Sequence, residues 1–208
     1  MNKLICIDNL GNERLVTQIP GVRVVVVGEE NVIKFHEGTK FERCEFVMNS
    51  NCSVTFAKTK YKIKNLRIFM NSFCKVSIED DFSCLEAEFR LQENNTSIDI
   101  GKDCMFSSEI KLYASDGHAI FNVNDENKAI NLGNTIRVGD HVWIGRSVCL
   151  LKNTIVGSNS IVGYGSVVTK TFENDNSLIV GFPAKIIKTG VNWDRKPPEL
   201  YNRVHNKI

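Results

Sequence analysis

The chain lacks long apolar runs, strong charge of either sign and any close pairing of cysteines. No stretch of its 208 residues approaches the roughly 20 apolar residues that a membrane-spanning helix needs. Met1 to Leu15 mixes polar and charged residues with short apolar pieces, without the long apolar region of a secretion signal. A soluble, cytoplasmic protein is therefore the expectation. The formal net charge is only +2, which removes the global basic footprint of a nucleic-acid binder. Seven cysteines are scattered along the chain with no CxxC pair, against a zinc site or a disulfide framework. Buried cysteine behaves as a small hydrophobe, so these residues are expected at inward or turn positions of a reduced protein. The histidines are His36, His118, His141 and His205. They form no close HxxxxH pair, and no metal is expected. Hydrophobic residues make up 42% and charged residues 24%, enough for one substantial core and unlike a disordered chain.

What is present is a period. From Val138 the chain reads VGDHVW-IGRSVC-LLKNTI-VGSNSI-VGYGSV-VTKTF. Val138, Ile144, Leu150, Val156, Val162 and Val168 recur every six residues, and glycine follows four of them. Four positions on stand Val142, Val148, Thr154, Ser160 and Ser166, all small or β-branched. A period of six would walk around an α-helix, and frequent glycine opposes one. Short strands joined by tight turns explain it instead, with one inward aliphatic residue per side of a prism. Glycine near each corner is expected to supply backbone angles that other residues resist. Three hexapeptides make an 18-residue coil. Val138 should then stack on Val156, Ile144 on Val162 and Leu150 on Val168, because a coil alone cannot bury its inner face.

The first half repeats more loosely. ENVIKF (Glu30–Phe35), NCSVTF (Asn51–Phe56), FCKVSI (Phe73–Ile78) and NTSIDI (Asn95–Ile100) resemble one another. Their inward candidates Ile33, Val54, Val76 and Ile98 lie 21 or 22 residues apart, with Cys44, Leu66 and Ile110 interleaved. Wider coils of one solenoid are predicted, over a meander or sandwich that would give the same local alternation. Two segments break the pattern. Tyr113 to Thr135 is polar and rich in Asp, Asn and Gly, and such a long excursion is usually functional or disordered. After Lys188 comes a tail in which Glu199–Ile208 suits a short helix. The expected organisation is a β-helix over 1–188, with wide coils at 22–112, a protruding loop at 113–135 and regular coils at 136–188, followed by a tail at 189–208.

The ladder, the HVWIG and GSVVTK steps and the GFPAKIIK ending together resemble the hexapeptide-repeat acyltransferases. Within them the chain looks like the xenobiotic/serine/maltose acetyltransferase branch, and most like bacterial O-acetyltransferases of capsular or surface polysaccharides, including those acting on sialic acid polymers. The overlap runs from Ile100 to about Arg195. The resemblance implies an all-β, left-handed parallel β-helix with an extended catalytic loop. It also implies acetyl-CoA as co-substrate, a carbohydrate acceptor, a homotrimer with active sites between subunits, and peripheral association with glycan-assembly machinery. Handedness comes from the resemblance alone, since ordinary parallel crossovers are right-handed.

Acetyl transfer to a sugar hydroxyl needs a base, an oxyanion donor and a groove with cations for the coenzyme phosphates. His118, in SDGHAI, matches the family's catalytic histidine, and an imidazole titrates near neutrality; by position alone it is an ordinary turn histidine. Asp116 is a candidate to orient the imidazole, or simply a turn-former before Gly117. Trp143 matches a position beside the active site and otherwise reads as an interface aromatic. His141, two residues earlier, is a candidate cleft group or a surface histidine. For coenzyme A, Gly145 and Arg146 match the pantetheine groove, with arginine where the family often has a small residue. Gly163 and Tyr164 match the same contact one coil later. Thr169 and Lys170 match the adenine and phosphate end, and Lys185 and Lys188 the nucleotide phosphates; the ordinary fate of such lysines is a solvated surface. Phe182 and Pro183 either shape the adenine pocket or close the last coil, and Trp193 is expected to pack the tail without a catalytic role.

The competing enzyme class is a sugar-nucleotide N-acetyltransferase, against which the missing dinucleotide-like βαβ start argues. A trimeric metalloenzyme like the gamma carbonic anhydrases needs three converging histidines. A non-catalytic scaffold is the remaining alternative.

Overall fold

In the computed structural model, which describes residues 1–205, the ladder closes as its period requires. Val138 pairs with Val156, Ile144 with Val162 and Leu150 with Val168, each in parallel register on a different face of the prism. Ile33, Val54, Val76 and Ile98 form one column in the first half. Ile136 continues it into the regular coils. The chain is a left-handed parallel β-helix of three sheets. The first sheet contains Lys3–Ile7, Val32–His36, Ser53–Phe56, Lys75–Ile78, Ser97–Ile100, Ile136–Val138 and Thr154–Val156. The second runs from Lys40–Glu42 through Trp143–Ile144 to Ser177–Gly181, and the third from Val22–Val26 through Ile110–Tyr113 to Val167–Val168. Two antiparallel strands turn back at the ends, Glu13–Val16 on Lys3–Ile7 and Ala184–Thr189 on Ser177–Gly181.

Coil length sets what fills the prism. The wide coils hold phenylalanines: Phe41 sits edge-on to Phe56 at 5.0 Å and Phe82 edge-on to Phe106 at 5.0 Å. In the 18-residue coils Val, Ile and Leu fill the prism, with Thr154, Ser160 and Ser166 buried at corners and Phe172 stacked on Val156 at the end. Those hydroxyls donate to corner carbonyls, Ser166 to Gly163 at 2.7 Å and Ser160 to Ser158 at 3.1 Å. Cysteines do the same work in the wide coils, where Cys74 donates to the Glu93 carbonyl at 3.1 Å and Cys104 to that of Gly139 at 3.1 Å. All seven thiols are unpaired. Burial pushes the Cys104 thiol up to about 12, so it stays protonated and inert.

The corner glycines have a different reason from the one the sequence suggests. Gly139, Gly145, Gly157 and Gly163 do not adopt left-handed angles. They are small because the next coil passes over them: a Cβ on Gly157 would stand 2.6 Å from the Asn174 carbonyl oxygen, and one on Gly139 would stand 2.8 Å from the Ser158 nitrogen. The left-handed residues come two positions later, at His141, Ser147, Asn159 and Gly165, with φ between 52° and 67°. Asparagine tolerates that region better than most residues.

Between the third and first sheets, after Tyr113, the chain leaves the coil and returns at Ile136, making a small hairpin of Phe121–Asn122 with Asp125–Ala129 on the way. Beyond the last strand the tail crosses the second sheet and ends in a helix at Pro198–His205; 206–208 of the expected helix lie outside the described residues. Among the described residues no helix is long and apolar enough to cross a membrane.

Substitution should separate the two kinds of corner residue. Gly157→Ala is expected to cost about 1–3 kcal/mol through overpacking. Asn159→Gly, at φ 56°, should change stability by less than about 1 kcal/mol. Chemical denaturation of the two variants measures both.

Candidate functional site

The excursion carries His118 on an exposed arc. Among the described residues no hydrogen bond engages its ring; its backbone carbonyl accepts from Asn131 Nδ2 at 2.8 Å. Asp116 is two residues away, but its carboxylate is occupied elsewhere. Oδ2 accepts from Lys152 Nζ at 2.5 Å and from Asn131 Nδ2 at 2.8 Å. These two hydrogen bonds hold the Asp116 carboxyl below the usual carboxylate range. The foot of the loop is fixed further by Gly133 N–H on Glu93 Oε2 at 2.7 Å and Asn134 N–H on the Ala114 carbonyl at 2.9 Å. Outside that foot the loop exposes Ile120, Phe121, Val123, Ile130 and Leu132.

Trp143 and His141 stand elsewhere, on the second sheet and its entry corner. Trp143 points outward, 39% exposed, as the ladder pattern predicts for that position. It lines a cleft of about 950 Å³ between the sheet and the tail, with Met105, His141, Trp193, Arg195 and Tyr201. His141 is tied down on both nitrogens, Nδ1 at 2.7 Å from Asp103 Oδ2 and Nε2 at 3.0 Å from the Trp193 carbonyl. Its ring stacks on Trp193 at 4.4 Å, and Trp193 Nε1–H donates to the His141 carbonyl at 2.8 Å. Neither nitrogen is free to take a substrate proton. Arg195 completes the strap: it donates to Asp103 Oδ1 at 3.0 Å and Ser83 Oγ at 2.8 Å, and lies 4.1 Å over the Tyr61 ring. Asp103, which the sequence did not single out, joins His141 and Arg195 across 38 and 92 residues.

The residues matched to coenzyme A lie on the edge between the second and third sheets, on the edge from which the loop departs, and on the closing hairpin. Gly145 and Arg146 turn the chain from the second sheet to the third, and Gly163 and Tyr164 repeat that turn one coil later, with Gly165 N–H on the Arg146 carbonyl at 2.9 Å. A Cβ on Gly163 would meet Val180 Cγ1 at 2.6 Å, so the Val180 side chain would have to turn away. Arg146 is paired with Glu109, and Tyr164 is 75% exposed. Lys185 stands opposite Val180 in the closing hairpin, and Lys188 opposite Leu178. Thr169 and Lys170 occupy the next corner, where the Lys170 ammonium lies 5.5 Å from the Phe172 ring. Among the described residues Lys170, Lys185 and Lys188 form no salt bridge, and no group of three or more His, Cys, Asp or Glu could hold a metal ion. Within one chain the loop carrying His118 leaves the same edge that holds Thr169 and Lys170, and Trp143 stands on the second sheet.

The profile of the bacterial transferase hexapeptide family (six repeats) matches residues 135–170. A polysialic acid O-acetyltransferase of Escherichia coli O1:K1 / APEC is 41% identical over 109 residues, 52% of this chain and 35% of that protein. The chain thus spans about a third of the length of the curated relative it matches. Among solved structures, the polySia-specific acetyltransferase NeuO superposes with a TM-score of 0.74 at 26% identity, over 99% of this chain and 88% of that one. The polysialic acid O-acetyltransferase OatWY superposes at 0.63 and 22% identity, over 94% and 91%, a likeness of fold.

Trp193→Ala should release the tail, since it removes the stacking on His141 and the bond to its carbonyl. Trypsin is then expected to cut after Lys188 or Arg195 severalfold faster than in the parent protein, with circular dichroism of the β-helix unchanged. Mass spectrometry of the digest times the release.

Proposed function

We propose that this chain is an acetyl-CoA-dependent O-acetyltransferase that esterifies a hydroxyl of a surface polysaccharide or its sugar precursor. The observation that carries the reading is the likeness to NeuO over nearly the whole chain. It is supported by an unengaged imidazole at the site where the family places its base.

His118 takes the proton of the acceptor hydroxyl as its oxygen attacks the thioester carbonyl. A backbone N–H near the HVWIG step stabilises the tetrahedral oxyanion. Collapse breaks the carbon–sulfur bond, and the imidazolium returns the proton to the departing thiolate. Products are the acetyl ester and free coenzyme A. Asp116 serves the arc that carries His118 and does not touch its ring. Gly145, Arg146, Gly163 and Tyr164 line the pantetheine arm; Lys170, Lys185 and Lys188 meet the nucleotide end as point charges, with the Thr169 hydroxyl beside them. Trp143 packs against the acceptor sugar. His141, engaged on both sides, shapes that cleft without exchanging protons.

The separation of His118 from Trp143 within one chain suits a homotrimer whose active sites lie between subunits. The loop's exposed apolar residues give it a face to bury against a neighbour. The reaction belongs in the cytoplasm, where acetyl-CoA is available, beside the machinery that assembles the glycan.

The test is acetyl-CoA turnover, read as thiol release, with polysialic acid as acceptor. The expected product carries acetyl groups that mild alkali removes; alkali-stable acetylation of an amino sugar instead would favour N-acetyl transfer. His118→Ala should lower kcat roughly a hundred- to ten-thousandfold. Undiminished turnover in that variant would remove His118 as the base.

A further inference from the structure

We propose that Asn131 and Lys152 are positioning residues for His118, an inference that rests on His118 being the base. The loop leaves the coil at Tyr113, and Tyr113 is in register with Leu151 of the next coil. Lys152 therefore stands beside the loop's foot. Its side chain is only 16% exposed, so its ammonium needs partners in place of water. It has two, the Asp116 carboxylate at 2.5 Å and the backbone carbonyl of Asn131. The next coil thereby grips both the outgoing and the returning strand of the excursion.

Asn131 distributes that grip along the arc. Its Nδ2 donates to Asp116 Oδ2 and to the His118 carbonyl, both at 2.8 Å, while its Oδ1 accepts from Ile120 N–H at 2.7 Å. The amide orientation is fixed by these partners: turned over, it would set N–H against N–H and oxygen against oxygen. Three points of the arc are thus held, at the side chain of 116, the carbonyl of 118 and the amide of 120. The imidazole alone is left unengaged. The base needs that combination, a Cα fixed to the frame and a ring free for substrate. A misplacement of about 1 Å at a reacting group costs up to roughly a hundredfold in rate.

Lys152→Met and Asn131→Ala are each expected to lower kcat roughly ten- to hundredfold. KM for acetyl-CoA should stay within about twofold of the parent, because uniform binding does not involve the arc. Lys152→Arg should restore most of the rate by regaining the Asp116 contact. The Lys152→Met/Asn131→Ala double variant should lose no more than the worse single one, since both act through one network. In a His118→Ala background neither change should lower the residual rate further. Full kcat in Lys152→Met and Asn131→Ala, with His118→Ala inactive, would overturn the clamp and leave the base standing. Loss that Lys152→Arg fails to restore, or that parallels a fall in Tm, would also overturn it by marking a general structural defect. Full turnover in His118→Ala would overturn clamp and base together.

Discussion

The structure depends on one spacing: each coil must lie within backbone hydrogen-bond distance of the next, about 4.8 Å. A parallel β-helix has no other way to satisfy its peptide groups, and every strand pairing here except the two end strands and the loop hairpin is parallel. The spacing explains the glycines, which sit where a Cβ would enter the backbone above. It explains the left-handed residues two positions later, where the chain must turn sharply to stay in its own layer. It also explains why corner carbonyls are capped by thiols and hydroxyls, which are small enough to sit inside the turn.

The same spacing governs charge. On the outer face of the third sheet Arg23, Glu45, Arg67, Glu88 and Lys111 stack in one column, in register coil by coil. Like charges so close would repel, and the sequence alternates their sign. Arg23 meets Glu45 at 2.9 Å and Arg67 meets Glu88 at 2.8 Å. Glu88 is the most enclosed of the series. Its burial opposes ionisation, but the hydrogen bond from Arg90 and the charges of Arg90 and Arg67 outweigh that and keep its carboxyl below the usual range. Tyr113 O–H, at the last residue before the excursion, donates to the same carboxylate at 3.2 Å. Glu88 of the charge column is thus also tied to the residue at which the loop departs.

The columns were legible in the sequence because stacking repeats a local pattern. Six-residue spacing alone predicts the three pairings of the regular coils, and spacing of 21 or 22 predicts the wide ones. Ala87 escaped notice between Leu66 and Ile110 because alanine carries no signal for an inward position, although it occupies that place in the ladder. The glycines were visible but their cause was not: φ and close approach leave the same letter in a sequence. The loop and tail were legible only as interruptions. What shapes them is non-local: Asp103 joining His141 to Arg195, and Lys152 reaching back 36 residues to Asp116. No period marks such contacts, since each occurs once.

This division follows from what a solenoid can tolerate. Inside the stack every residue is constrained by the coils above and below, so a side chain that must meet substrate has no room there. An excursion can interrupt one layer at a corner without breaking the stack: Ile98 to Ile100 pairs directly with Ile136 to Val138 across the inserted segment. An excursion so inserted is free of the period and equally free of its support. The frame can steady it only through side chains at its foot, and a half-buried lysine from the adjacent coil, with an asparagine on the returning strand, meets that need. The regularity of the repeat thus supplies a fixed platform, and a few irregular polar contacts transmit that fixity to His118.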